Sequence, residues 1–168
     1  MLRFCLALTG TALLAGALLN PGEAAAQTVK SRITGAWTLV SIEATDKDGK
    51  TLDQWGANPK GIQVLHPSGQ FVQIISRSDV PKFAVNNRVQ GTPAENTAAM
   101  KGITANFGTF TVDEKKKTIT VRYVGSAFPN QIGNDSTRIF SLSGNTLTVT
   151  NPTTASGTTS KTVWRRAK

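Results

Sequence analysis

Residue types that perform covalent or metal chemistry are scarce in this chain of 168 residues. It has one cysteine, Cys5, and one histidine, His66. Neither a disulfide framework nor a cysteine-ligated zinc site is therefore expected, and chemistry that needs two imidazoles is excluded. His66 stands directly before Pro67 in a predicted hairpin turn, with no carboxylate cluster beside it, and is interpreted as an exposed turn residue. The sequence offers no nucleophile–base pair and no set of metal ligands, so we expect neither triad hydrolysis nor metal catalysis.

A carboxylate and a guanidinium on predicted strands are the strongest candidates for binding chemistry. Glu43 and Arg138 could pair in a low-dielectric interior and orient the polar head of a ligand. The same pair could instead only fix strand register, or either residue could face solvent. Alternation along the first strand puts Glu43 on the face of Trp37, which favours the interior, whereas Arg138 alternates with Ile139 and its direction stays open.

Other polar and aromatic side chains on the predicted strands and loops could contact a bound molecule. Ser41, Gln73 and Tyr123 supply a hydroxyl, an amide and a phenol, although a single tyrosine in a β-protein usually packs as an amphipathic residue. Phe128 and Trp55 lie in loops, where they could gate a cavity or plug the core. The predicted ligand-binding set is Trp37, Leu39, Ser41, Glu43, Gln73, Phe110, Tyr123, Phe128 and Arg138.

The elements that must position these residues are short alternating strands. The pattern predicts eight strands, at 35–44, 61–66, 70–76, 107–112, 118–124, 137–142, 146–151 and 161–166, separated by Gly, Pro, Asn and Asp turns. Neither face of the first strand is cleanly polar, which predicts a bulge or burial on both sides. One short helix is predicted over 94–105, with a capping box from Thr92 to Glu95 and Pro93 at its first position. Sequential hairpins without a βαβ rhythm favour an all-β, antiparallel, up-and-down barrel over residues 27–168.

The first 26 residues have the pattern of a secretory signal peptide. Arg3 supplies a positive charge, residues 4–19 form an apolar run, and Ala24, Ala25 and Ala26 form a small-residue cleavage site before Gln27. The apolar run is shorter than the roughly 20 residues a membrane span needs. We therefore expect a periplasmic or secreted protein without cysteine.

The chain has a formal net charge of +9, with 19 Lys and Arg against 10 Asp and Glu. Part of the excess lies in residues 115–117 and 165–168. Such a surface could associate weakly with anionic envelope material. Nucleic acid is not an expected partner because the chain is predicted to be exported and has no basic–aromatic binding motif. No cofactor is expected.

Several stretches, taken in order, resemble the bacterial lipocalin-like domain family. They are GAWTLVSIE at 35–43, NPKG at 58–61, PSGQFVQIISR at 67–77, FGTF at 107–110, FPN at 128–130 with Gly133, RIFSLSGNTL at 138–147 and VWRR at 163–166. The resemblance implies a calycin-type barrel in which Trp37 packs at the closed end beneath Arg165 or Arg166. Family members often carry histidines where this chain has Val121 and Arg122, and a tryptophan where it has Gln131. Imidazole-dependent activity is therefore not carried over to this chain.

Three functions fit this sequence. The first is an exported barrel that binds a small hydrophobic or amphipathic molecule. The second is an isomerase or cyclase that uses the cavity, with Glu43 as the base and Tyr123 or Arg138 as electrophile. The third is a ligand-free, envelope-associated basic protein with a packed interior. The state of the barrel interior distinguishes the third function from the other two.

Overall fold

The structure, a computed structural model, describes residues 28–168. The predicted signal peptide at 1–26 lies outside these described residues. In chain order the elements are α1 (Val29–Ile33), β1 (Gly35–Thr45), β2 (Thr51–Leu52), β3 (Lys60–Leu65), β4 (Gln70–Ser76), α2 (Pro93–Lys101), β5 (Ile103–Asp113), β6 (Thr118–Ser126), a 3₁₀ turn (Pro129–Gln131), β7 (Asp135–Ser143), β8 (Thr146–Asn151) and β9 (Thr159–Arg166).

The strands form a closed antiparallel barrel. From β3 to β9 each strand pairs with the next one along the chain, β1 pairs with β3, and β1 also pairs with β9 to close the sheet. The two-residue β2 pairs with the last residues of β1. Within residues 28–168 the barrel itself has eight strands, and β2 is a short addition at its edge. The predicted up-and-down barrel is confirmed. Closure leaves each of these eight strands paired on both sides, so the sheet has no unpaired edge apart from β2.

A bulge in β1 decides which of its side chains face the interior. The register against β9 shifts between Leu39 and Ser41. Trp37 and Leu39 are buried before the bulge, whereas Ile42 and Ala44 turn inward after it. Unbroken alternation along β1 predicted that Glu43, and by the same rule Ser41, would share the inward face of Trp37, and this prediction is wrong. One extra residue reverses the alternation, so both side chains are exposed.

The hydrophobic core fills one end of the barrel, called here the closed end. Trp37, Trp164 and Leu147 have no exposed surface there, and Ile33 of α1 covers them from outside the sheet. The Trp37 indole Nε1 donates a 2.9 Å hydrogen bond to the carbonyl oxygen of Ile33. No helix was predicted from the sequence at this position, so α1 is a finding of the structure.

Arg166 connects α1 to the closed end through contacts with both. Its guanidinium carbon lies 4.3 Å from the centre of the Trp37 ring, a cation–π contact in which Trp37 packs beneath Arg166 and not Arg165. Its Nη1 donates a 2.8 Å hydrogen bond to the carbonyl oxygen of Thr34, and its Nη2 donates to that of Arg32. The guanidinium thus binds carbonyl groups at the carboxyl end of α1, where they have no partner inside the helix.

Helix α2 begins where the sequence predicted and ends earlier. Thr92 and Glu95 form the expected capping box, and Pro93 is the first helical residue. The helix stops at Gly102, and β5 begins at Ile103, so residues 103–105 belong to a strand instead of the predicted helix. No helix within residues 28–168 combines the length and apolarity needed to cross a membrane.

Candidate functional site

A cavity of about 910 Å³ occupies the other end of the barrel, called here the open end. The strands supply its wall and the loops at 53–55, 77–81, 128–131 and 154–158 surround its mouth, together with the end of α2. The cavity lies above the core because inward-facing residues toward the open end are smaller or more polar than the tryptophans and leucines at the closed end. Its volume is in the range of small-molecule sites.

The cavity wall is divided between apolar and polar side chains. The apolar part contains Ile42, Leu52, Trp55, Ile75, Val80, Pro81, Met100, Ile103, Phe128 and Val149. The polar part is rich in hydroxyl and amide groups and contains Thr104, Asn106, Gln131, Asn151, Thr154, Ser156, Thr158, Ser160 and Thr162. A wall of this composition suits an amphipathic molecule better than a bare hydrocarbon, because hydroxyl and amide groups lose hydration when an apolar surface covers them.

Arg138 lies at the floor of the cavity, between the core and the open space. Only 6% of the residue is exposed. Its Nη2 donates a 2.6 Å hydrogen bond to the Tyr123 hydroxyl oxygen, and its Nη1 donates one of 3.3 Å to Oε1 of Gln73. The amide nitrogen of Gln73 in turn donates a 2.8 Å bond to Oε1 of Gln63, which is also buried. Arg138, Tyr123, Gln73 and Gln63 are named here the floor network.

The floor network contains one positive charge, that of Arg138, and one of the N–H groups of Arg138 has no acceptor. Nε of Arg138 is buried and has no hydrogen-bond partner. The salt bridges within residues 28–168 do not include Arg138, so no carboxylate of the described chain lies within 4.0 Å of its guanidinium. A guanidinium can only donate, and Tyr123 already accepts from it, so the phenolic proton is directed elsewhere.

Hydrogen bonds hold the Phe128 loop at one side of the mouth. Oγ of Ser126 donates a 2.7 Å bond to Oδ1 of Asn106 and accepts a 3.0 Å bond from the backbone amide of Phe128. Nδ2 of Asn106 donates a 3.1 Å bond to the hydroxyl of Thr104. The buried Asn106 therefore links β5 to the end of β6 and fixes the position of Phe128.

A second part of the mouth, at the end of β4, carries an ion pair. Nη2 of Arg77 lies 2.7 Å from Oδ2 of Asp79, and Nη1 of Arg77 donates to the carbonyl oxygens of Asp53 and Gln54. The hydrogen bond from Arg77 lowers the pKa of the Asp79 carboxyl, and the Asp79 carboxylate raises the pKa of the Arg77 guanidinium. This pair connects the β4 end to the loop that carries Trp55.

The structure brings together four of the nine residues predicted to bind a ligand. Gln73, Tyr123 and Arg138 form the floor network, and Phe128 lines the mouth. Trp37, Leu39 and Phe110 are buried in the core below the floor and do not line the cavity. Ser41 and Glu43 are exposed on the outside of the barrel, and Glu43 does not pair with Arg138.

Several residues that line the cavity were not predicted from the sequence. Ile42 and Asn106 line the cavity, and the signal for Ile42 was the irregular alternation of β1, which predicted a bulge without giving its position. Trp55, which was named as a loop aromatic and not as a ligand-binding residue, also lines the mouth. His66 is exposed in the turn before β4, as predicted, and its Nδ1 lies 2.7 Å from the Ser68 hydroxyl.

Comparison with known proteins gives one family match. Residues 34–167 match the family model described as a lipocalin-like domain. No curated protein matches the chain. A solved lipocalin-like protein from Bacteroides uniformis ATCC 8492 is 16% identical with a TM-score of 0.41, over 80% of this chain and 97% of the other. Two variants of the fluorescent protein UnaG are 13% identical, with TM-scores of 0.38 and 0.39, over 83% and 82% of this chain and 99% and 97% of theirs.

Proposed function

The chain belongs to the lipocalin-like domain family, and from that premise we propose that it binds a small hydrophobic or amphipathic molecule inside its barrel. The observation that carries the proposal is the cavity of about 910 Å³ above a packed core. Trp55, Phe128, Met100 and Ile103 line it toward the mouth, and Gln73, Tyr123 and Arg138 line its floor. Concave sites with apolar walls and a few buried polar groups are typical of small-molecule binding.

The two alternative functions receive less support. A ligand-free envelope protein was expected to have a packed interior, whereas the open half of this barrel is a cavity. An isomerase or cyclase was expected to use Glu43 as its base, and Glu43 is exposed on the outer face of β1. The carboxylates that line the cavity, Asp53 and Asp79, belong to its mouth and not to its floor.

A neutral fluorescent probe tests the proposal directly. N-phenyl-1-naphthylamine becomes bright in an apolar site, so we expect it to bind the purified protein with one saturable site. Ile42→Trp should abolish or strongly weaken this binding, because the indole would project into the cavity. Val40→Trp is the matched control. Val40 is the bulged residue of the same strand and is 53% exposed on the outside of the barrel, so an indole there does not enter the cavity.

The outcome of this pair of variants is decisive. Probe binding that survives Ile42→Trp unchanged would place the probe outside the cavity. Equal loss of binding in Val40→Trp would show that the loss does not come from filling the cavity, and would contradict the proposal. Absence of binding to the wild-type protein, together with no small molecule in protein taken from its own host, would remove the proposal.

The proposal includes export to the periplasm or the medium. Its support is the sequence of residues 1–26, with Arg3 before an apolar run and a small-residue site before Gln27. Cell fractionation and the intact mass of the isolated protein test this part. We expect a protein that begins at Gln27 outside the cytoplasm, and an intact chain retained in the cytoplasm would contradict it.

A further inference from the structure

We propose that the ligand is an organic anion, and that its carboxylate or an equivalent oxyanion binds at the floor of the cavity against Arg138 and Tyr123. This inference rests on the proposed function, because it assigns the chemical class of the molecule in the same cavity. The ligand is inferred to lie with its anionic group deepest and its apolar body directed toward Trp55 and Phe128 at the mouth.

The first argument is the charge of the floor network. Arg138 is 6% exposed, and no acidic side chain of residues 28–168 lies within ion-pair distance of it. A buried cation loses several kcal/mol of hydration when nothing compensates it. The Arg–Asp pairs at Arg77 and Arg122 show the usual arrangement in this chain, in which a nearby aspartate accepts from the guanidinium. At Arg138 the proposed ligand supplies the missing negative charge.

The second argument is the direction of the hydrogen bonds. Arg138 donates hydrogen bonds to Tyr123 and to Gln73, and the side-chain amide of Gln73 in turn donates to Gln63. The Nε group of Arg138 is a buried donor without an acceptor, and the Tyr123 hydroxyl still has its own proton to donate. Arg138 and Tyr123 both line the cavity, and a carboxylate accepts charge-assisted hydrogen bonds well from a guanidinium and a phenol held side by side.

The third argument is the placement of charge along the cavity. The charged side chains lining it are Arg138 at the floor and Asp53, Arg77, Asp79 and Lys101 around the mouth. Arg77 already pairs with Asp79. The cation at the floor is therefore separated from the carboxylates at the mouth, so an anionic group is most strongly attracted to the deep end. Phe71, Phe110 and Phe140 pack in the core on the closed-end side of Arg138. The apolar body of a ligand bound at Arg138 therefore extends toward the mouth.

A matched pair of probes isolates the anionic group. 1-Anilinonaphthalene-8-sulfonate has the ring system of N-phenyl-1-naphthylamine plus one sulfonate. We expect Arg138→Gln to weaken binding of the sulfonate probe by about 10-fold or more, the usual size of a lost hydrogen bond to a charged group. Binding of the neutral probe should change by no more than about two-fold. Arg165→Gln is the control, because Arg165 is exposed at the closed end and its loss lowers the net charge equally.

A competition on the wild-type protein gives a second measurement that needs no variant. Dodecanoate and dodecan-1-ol have the same chain and differ in the head group. We expect dodecanoate to displace the neutral probe at a concentration at least about 10-fold lower than dodecan-1-ol does. This arm decides the question if Arg138→Gln does not fold.

The possible results separate the two proposals. If both probes bind, Arg138→Gln affects them equally and the acid competes no better than the alcohol, the anion site is refuted while the binding function stands. An equal loss of sulfonate-probe binding in Arg165→Gln would also refute it, because the effect would then come from net charge. If neither probe binds the wild-type protein and protein taken from its own host carries no small molecule, both proposals fail.

Discussion

The Nη2 group of Arg138 on β7 lies 2.6 Å from the hydroxyl oxygen of Tyr123 on the neighbouring strand β6, and both side chains are buried at the floor of the cavity. Because the guanidinium donates, the tyrosine oxygen accepts, and the phenolic proton stays free for another acceptor. This contact orients the arginine and at the same time makes Tyr123 a donor. Two residues thus present one donor surface to whatever occupies the cavity.

Tyr123→Phe should weaken anion binding without removing the cation. The variant loses the hydroxyl that orients Arg138 and that donates to the proposed oxyanion. We expect affinity for the sulfonate probe to fall by about 3- to 10-fold, the range of a neutral hydrogen bond, with little change for the neutral probe. Fluorescence titration measures both. An equal fall for both probes would show that the substitution disturbs the cavity as a whole, and would contradict a role of the hydroxyl in anion binding.

Arg138→Met should leave the empty protein at least as stable as the wild type. The substitution removes a buried charge that lacks a counter-ion, and methionine fills similar space. We expect the free energy of unfolding in urea to stay unchanged or to rise by up to about 2 kcal/mol.

Arg122→Met is the matched control for this change. Its guanidinium is exposed and pairs with Asp135 at 3.1 Å, so its loss should cost no more than about 1 kcal/mol. A fall of more than about 2 kcal/mol for Arg138→Met would show that Arg138 stabilises the empty barrel, which contradicts the claim that its buried charge is uncompensated there.

The sequence predicted the scaffold better than the site. Hairpin turns, the capping box of α2 and most strand positions follow from local residue patterns, and the barrel follows from their order. Glu43 was misplaced because one bulged residue reverses every later side chain of β1. The direction of Arg138 could not be read from alternation, since Ile139 beside it is 56% exposed and Arg138 is buried, the reverse of the hydrophobic rule. Only the three-dimensional neighbours of Arg138 explain this inversion.

Helix α1 was missed for a related reason. Five residues show no helical periodicity, and the segment is helical because Ile33 packs on the core and Arg166 binds its carbonyl end. Such contacts come from residues more than 130 positions apart in the chain, as the Arg166–Thr34 hydrogen bond does. Local pattern cannot predict them.

Arg166→Ala should destabilise the protein without changing its ligand affinity. The variant loses the cation–π contact with Trp37 and the hydrogen bonds to the end of α1. We expect a loss of about 2 kcal/mol in the free energy of unfolding, from the sum of these contacts. The neutral probe should bind as before, because Arg166 lies at the closed end. Arg165→Ala, next to it and exposed, should cost no more than about 0.5 kcal/mol; equal losses in the two variants would contradict this account.

Glu95 should make the segment between β4 and α2 sensitive to acid. Its carboxylate accepts 2.7 Å hydrogen bonds from the backbone amides of Ala84 and Thr92, and these bonds lower its pKa. A lowered pKa means that the stabilisation is present above the unfolded pKa, about 4.3, and is lost as the pH falls through the folded value. We expect amide protection of Ala84, corrected for intrinsic exchange, to fall over this interval.

Glu95→Gln provides the comparison for that measurement. The variant should show weaker protection of Ala84 at pH values near neutral and little further loss on acidification, because its amide does not titrate. Glu43→Gln, an exposed carboxylate on β1, should behave like the wild type. A wild-type profile that is flat through the titration of glutamate would show that this carboxylate does not hold the segment.

The central claim, that the open end of this barrel binds a small molecule, is tested most directly by native mass spectrometry. The wild-type protein, Val40→Trp and Ile42→Trp would each be incubated with an organic extract of the host and separated from unbound material. We predict one additional small mass per chain in the wild type and in Val40→Trp, and none in Ile42→Trp. Empty protein in all three samples, or the same bound mass in all three, would contradict the claim.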